Sequence, residues 1–182
     1  MDYSEIVHLV NTDPVMQTLL AAPIPMRLGY VGLDGHPRSV PVAYLWNGKA
    51  FVFATPTTAY KVKAIAAHPE VAFTVDTAEA ESRAKVSAQL GSTVADYTPL
   101  IVMVRGTASI AVEQGLPQDH IDASRRMVGD DEMMEEWERI KRESTSEMAL
   151  ITIIPTHVTV CDFITRFPPP TEVNANTHGA DS

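Results

Sequence analysis

The chain has 182 residues, of which 45% are hydrophobic and 20% are charged. This composition excludes a wholly disordered chain, a collagen-like repeat and a coiled coil. The 14 Lys and Arg against 23 Asp and Glu give a formal net charge of −9. Because nucleic acids and anionic membranes bind basic surfaces, this charge argues against both as general partners, and a phosphate site must be a local basic exception.

The cysteine content and the first residues bear on location. The one cysteine, Cys161, excludes an internal disulfide and an all-cysteine metal site. The sequence has no apolar run near the ~20 residues of a membrane-spanning helix, and residues 1–10 lack the basic region of a secretion signal. We therefore expect a cytoplasmic protein with a single domain over residues 1–167.

The first third of the chain changes from a helical to a strand pattern. Residues 1–22 have helical apolar spacing, and Asp13-Pro14 starts a second helix within them. Three strands are predicted next, at residues 26–31, 39–46 and 50–54. Asp34-Gly35 and Asn47-Gly48 favour tight hairpin turns, so the sheet is antiparallel here.

A short helix with a hydroxyl N-cap is predicted over residues 58–68, and Pro69 ends it. A strand over 71–75 follows. Residues 77–96 are polar and rich in Ala and Ser, which is typical of a mobile insertion. The strand over 100–112 contains Gly106, where we expect a bulge or a bend.

The remaining elements are two helices, two strands and a tail. A helical insertion over 116–145 contains helices predicted at 117–127 and 132–143. Strands over 148–154 and 157–164 are predicted to flank a Pro155-Thr156 turn, and the tail over 168–182 is predicted to be disordered. Without βαβ alternation or a GxGxxG motif, the pattern favours an antiparallel α+β or barrel domain over a Rossmann fold.

The residues that follow the third strand are typical of a phosphate site. Thr55 and Thr58 lie at the strand end and helix start, and Lys61 and Lys63 follow within about a turn. Backbone N–H groups and the positive end of the helix dipole attract an anion there. The alternative is an ordinary solvated helix face.

A second candidate is the strand segment from Arg38 to Val42. Pro41 removes a donor from the ladder, so it marks either an edge strand or a place where a ligand lies against the backbone. Arg105 before Gly106 is a weaker candidate, because it fits a surface arginine at a bend. The six histidines lack metal-binding spacing, and no G-x-S-x-G motif supports a hydrolase, so we expect no metal site.

Three blocks together resemble the pyridoxamine 5′-phosphate oxidase-like split β-barrel family of flavin and deazaflavin proteins. They are residues 27–76, 100–110 and 151–168. The resemblance implies a mainly β, six-stranded antiparallel split β-barrel with Greek-key topology and peripheral helices. It also implies a homodimer that holds its cofactor, FMN or the deazaflavin coenzyme F420, in a groove between the subunits.

The resemblance also assigns roles by position. The cofactor ring would lie against the backbone of the second strand, with the third strand along its edge, and the helix start would hold the phosphate. A segment near the C-terminus would reach the groove. The implied cofactor-binding residues are Arg38, Ser39, Val40, Pro41, Val42, Phe53, Ala54, Thr55, Thr58, Lys61, Lys63, Asp162 and Phe163.

The expected function is an oxidoreductase that transfers a hydride to or from a small organic substrate, with the cofactor performing the chemistry. Tyr60 and Tyr97 are candidate proton donors, but we assign no general acid. The main alternative is a non-catalytic protein that binds or stores flavin, F420 or haem on the same barrel. A structural dimer with an empty groove is a third reading.

Overall fold

The computed structural model of the chain describes residues 1–77 and 99–162. Within them, seven strands form one antiparallel sheet with five helices around it. The strands are β1 (Met26–Val31), β2 (Pro37–Val42), β3 (Leu45–Trp46), β4 (Phe51–Thr55), β5 (Glu70–Asp76), β6 (Leu100–Gln114) and β7 (Glu147–Asp162). The helices are α1 (Tyr3–Thr12), α2 (Pro14–Ala21), α3 (Tyr60–Ala67), α4 (Gln118–Val128) and α5 (Asp131–Ser144).

The sheet has the order β2-β1-β5-β6-β7-β4-β3, and each neighbouring pair is antiparallel. This α+β architecture confirms the expected fold class and both predicted hairpins. The sheet is not closed, since β2 and β3 are its edges. It has one strand more than the six expected, and the shortest strand is the two-residue β3. Of the predicted segments, residues 78–96 of the insertion and the tail over 168–182 lie outside the described residues.

The prediction of one strand over 39–46 is wrong, because β2 ends at Val42 and β3 pairs with β4 at the opposite end of the strand order. Tyr44 lies between β2 and β3 and is fully buried. Its ring packs 6.1 Å from Phe51 and 6.3 Å from Phe73, centroid to centroid. The chain therefore leaves the first edge to place this large side chain in the core.

The prediction of two C-terminal strands is also wrong, because β7 continues through Pro155. Gly106 of β6 pairs with Pro155 and Arg105 pairs with His157, so Thr156 is an extra residue opposite the β6 strand. A bulge tolerates proline, since the ladder is already interrupted there. Of the bulge or bend expected at Gly106, the bulge is thus confirmed, and the two longest strands stay paired on both sides of it.

Gly106→Ala is expected to destabilise the protein by about 2–3 kcal/mol, because overpacking forces neighbouring atoms to move. A Cβ at this position would lie 2.5 Å from the carbonyl oxygen of Ile154 and 2.7 Å from Cγ2 of Ile153. Urea denaturation followed by circular dichroism measures the change. Ser109→Ala, at an exposed site of the same strand, is the control, and equal midpoints for the two variants would contradict the clash.

Helices α1 and α2 begin as predicted. Asp2 accepts from the backbone N–H of Glu5 in a capping box, and Asp13 caps α2 one residue before Pro14. None of the helices in the described ranges combines the length and the apolar character that a membrane crossing requires.

Arg126 of α4 links three parts of the fold. Its guanidinium donates to the carbonyl oxygens of Leu20, Ala22 and Tyr44, each at 2.7 Å. It also lies over the Tyr44 ring, with Cζ 4.4 Å from the centroid. The Arg126 side chain thereby connects α4 to the end of α2 and to the segment between β2 and β3.

Candidate functional site

The start of α3 leaves backbone donors without a side-chain cap. The helix begins at Tyr60 behind Ala59, which has no side-chain acceptor, so the predicted hydroxyl cap is wrong. The Thr57 hydroxyl donates instead to Oε1 of Glu147 at 3.1 Å, and Thr58 is exposed. The first-turn N–H groups and the positive end of the helix dipole therefore have no side-chain partner at this terminus.

Lys61 and Lys63 bring two positive charges to α3. Lys61 is half-buried, and burial lowers the pKa of its ammonium group, whereas Lys63 is exposed. Residues two apart on a helix do not face each other, so the two side chains leave α3 in different directions. Neither lysine has an ion pair with the described part of the chain. Lys61 is closer to the helix start and is therefore the better placed of the two to bind an anion there.

Arg38 is held on the same side of the molecule. Its NH1 and NH2 groups donate to the two carboxylate oxygens of Asp34 at 2.7 and 2.9 Å, and the guanidinium lies 4.8 Å from the Tyr60 ring centroid. Arg38 holds the pKa of Asp34 well below its usual range. The Tyr60 hydroxyl accepts from the N–H of Leu33 at 2.9 Å. The charge of Arg38 is thus already balanced, unlike that of the lysines.

Residues of the β2 strand line two hollows. Among the strands that the structure describes it pairs only with β1, so the interpretation of Pro41 as an edge-strand proline is confirmed. Ser39 and Pro41 are exposed, while Val40 and Val42 are half-buried and packed against the core. The free edge of β2 leaves backbone groups available on this side.

The first hollow is a cavity of about 490 Å³. Pro41 and Val42 of β2 and Ala54 and Thr55 of β4 are among the residues that line it. Further lining residues come from α4, α5, the start of β7 and the segments that precede α4 and β7. They are Leu116, His120, Lys141, Ser144, Thr145, Ser146, Glu147 and Met148.

His120 and Lys141 are residues that sequence reasoning missed. Burial, and secondarily the nearby Lys141 ammonium, lowers the pKa of His120 below its ordinary 6.5. The imidazole is therefore neutral at pH 7 and can donate one hydrogen bond and accept another. Both residues lie in the 116–145 helical segment, whose sequence pattern indicates only where the helices run.

The second hollow, of about 580 Å³, lies on the outer face of the sheet. Ser39 lines it together with Arg27, Arg105 and His157. Its floor includes Met103, whose side chain is 40% exposed. This arrangement brings Arg105 and Ser39 to one surface.

Several predicted site residues do not line either hollow, namely Arg38, Val40, Phe53, Thr58, Lys61, Lys63 and Asp162. Phe53 is completely buried, so only its backbone is available to a ligand. Asp162 is completely buried at the end of β7. Phe163 and Tyr97 lie outside the described residues. The roles that the sequence analysis gave to these residues, and to the other candidate site residues, stay predictions.

Solved structures with the same fold come from several organisms. A conserved hypothetical protein from Mycobacterium tuberculosis is 18% identical, with a TM-score of 0.52, over 89% of this chain and 85% of that one. The heme storage protein HutZ from Vibrio cholerae is 15% identical, with a TM-score of 0.54, over 81% and 93%. General stress protein 26 from Bacillus anthracis is 17% identical, with a TM-score of 0.50, over 81% and 92%. At these identities the likeness shows the fold alone.

The sequence itself was compared with curated proteins and with family models. No curated protein matches it. The family model described as Pyridoxamine 5'-phosphate oxidase matches residues 12–158, a range that contains every strand up to the last four residues of β7. The match confirms the resemblance read from the strand and α3 motifs: the chain belongs to the pyridoxamine 5'-phosphate oxidase family.

Proposed function

We propose that the protein binds FMN or coenzyme F420 and transfers a hydride to or from a small organic molecule, as a cytoplasmic homodimer. The observation that carries this proposal is the start of α3. A helix terminus without a side-chain cap follows strand β4, whose Ala54 and Thr55 line a cavity, and Lys61 and Lys63 of that helix have no ion pair within residues 1–77 and 99–162. In a protein of net charge −9, such a site is a local basic exception suited to a phosphate.

The residues present fit a flat ring that carries a phosphate. Lys61, Lys63 and the α3 N–H groups would hold the phosphate, with Thr58 beside them. The free edge of β2 from Ser39 to Val42 offers backbone groups to the ring. When bound, the cofactor supplies hydride transfer, and the protein supplies position and electrostatics.

The charges around the site favour FMN over F420. The acidic tail of F420 needs further cations, and Arg27, Arg38 and Arg105 are the nearby arginines. Arg38 is paired with Asp34, and Nε of Arg27 lies 3.5 Å from Asp76. Arg105 alone among these three has no ion pair with the described residues. One free arginine is a poor match for several carboxylates.

The outer face of the sheet supports the homodimer. The small residues Gly29 and Ala72 and the exposed Met103 line the second hollow and make this surface partly apolar. A second copy on this face would cover it and would place its own residues near Ser39. The groove between subunits is then formed beside the free edge of β2.

The second candidate is a protein that stores flavin, F420 or haem without turnover. His157 favours haem within this class, because an exposed imidazole lines the second hollow and histidine is a common axial ligand of haem iron. The solved relative HutZ is described as a heme storage protein.

Parallel titrations of the full chain with FMN, F420 and haem test the proposal. We expect FMN to bind with micromolar or better affinity, with quenching of its fluorescence, and to bind more tightly than F420 or haem. Turnover of reduced cofactor with a panel of quinones and enones then separates an enzyme from a binder. Tight haem binding with no flavin affinity would support the storage alternative instead.

A further inference from the structure

We infer that the first hollow receives a small carboxylate substrate, with Lys141 binding its carboxylate and His120 donating a hydrogen bond to it. This inference rests on the proposed function, because it assigns the substrate side of the same site. It uses residues of α4 and α5 that no sequence motif identified.

The position of the cavity supports a substrate site. The cavity is lined by the β2 and β4 residues, Val42 and Thr55 among them, that the cofactor ring is proposed to follow. Lys141 and His120 line the same cavity. A volume of about 490 Å³ lies within the roughly 300–1,000 Å³ of small-molecule sites. A molecule in this cavity would contact both the proposed ring and the helical residues.

Lys141 is the unpaired cation of this cavity. On the same helix, Arg139 and Arg142 are both paired with glutamates at 2.7 and 2.8 Å. Lys141 has no ion pair with the residues that the structure describes. An ammonium group without a counter-ion at a cavity wall is suited to an anionic group of a ligand.

The other polar groups limit the charge of that ligand. His120 is neutral, with its ring centroid 5.7 Å from that of Trp137. Glu147 also lines the cavity and adds a negative charge near Thr57. One free cation and one carboxylate suit a monoanion better than a doubly charged phosphate ester, which would require more positive charge.

The apolar part of the cavity indicates the rest of the molecule. Val42, Leu116 and Met148 contribute hydrocarbon surface to it. A planar aromatic or unsaturated body fits between such surfaces and a flat cofactor ring. The substrate class is therefore a small aromatic or α,β-unsaturated carboxylate.

Benzoate and its neutral analogue benzamide test this assignment on the full chain. Binding is followed by tryptophan fluorescence, since Trp137 contacts His120, and by calorimetry, with and without FMN. We expect benzoate to bind at least tenfold more tightly than benzamide, and Lys141→Gln to remove that preference. Arg139→Gln, which changes a paired arginine of the same helix, should leave it intact.

The two proposals fail separately. Equal affinities for benzoate and benzamide, or unchanged benzoate binding by Lys141→Gln, would overturn the substrate assignment even if FMN binds. A benzoate preference in a protein with no affinity for FMN, F420 or haem would instead overturn the cofactor proposal.

Discussion

Replacing Lys61 and Lys63 together with glutamine is expected to weaken FMN binding by at least about 100-fold. Each hydrogen bond to a charged group contributes about 1.5–3 kcal/mol, and both ammonium groups would be lost from the phosphate. Neither lysine forms an ion pair with the described residues, so the double variant breaks no salt bridge among them. Fluorescence titration with FMN measures the affinity.

The two single variants, and a control variant at another exposed lysine, show which lysine contributes to FMN binding. Lys61→Gln should weaken binding more than Lys63→Gln, because Lys61 is half-buried beside the helix start and Lys63 is exposed. Lys49→Gln removes an exposed lysine next to the Asn47-Gly48 turn and should leave the affinity within twofold. If the double variant binds FMN as tightly as the natural protein, the phosphate lies elsewhere.

Arg126→Met is expected to destabilise the protein by about 3–4 kcal/mol, because three backbone carbonyls lose a charged donor. Those carbonyls belong to Leu20, Ala22 and Tyr44, and the Tyr44 ring loses its cation as well. Chemical denaturation monitored by circular dichroism gives the free energy of unfolding.

The neighbouring arginine provides the control for this variant. Arg125 forms ion pairs that are accessible to solvent, with Asp131 at 3.2 Å and Glu138 at 3.4 Å. Arg125→Met should therefore lower the free energy of unfolding by less than about 1 kcal/mol. Arg126→Lys should recover little, since one ammonium group does not reproduce the spread of a guanidinium over three carbonyls. Equal losses for the two methionine variants would show that Arg126 is not a special link.

The parts of the fold set by local residues could be predicted. Asn47-Gly48 fixes a hairpin and Asp13-Pro14 starts a helix, because turn and cap preferences depend on neighbours in sequence. The two errors in the strands have non-local causes. The chain leaves β2 where Tyr44 enters the core, and β7 passes Pro155 because β6 pairs with it on both sides of the bulge.

The same distinction applies to the site. Thr55, Lys61 and Lys63 are close in sequence, so their association with a helix start was predictable. The helices that carry His120 and Lys141 meet β4 only through packing of elements far apart in the chain. Helical periodicity indicates which face of α4 or α5 is buried, but it does not indicate which strand lies opposite.

The extra residue at the β6–β7 bulge sets the phase of the last strand. Before it, odd-numbered residues such as Ile151 and Ile153 point into the core, and after it the even-numbered Val158 takes that place. A single inserted position thereby turns His157 outward beside Arg105. The bulge therefore decides that His157 lies on the outer surface, where a second subunit is proposed to dock.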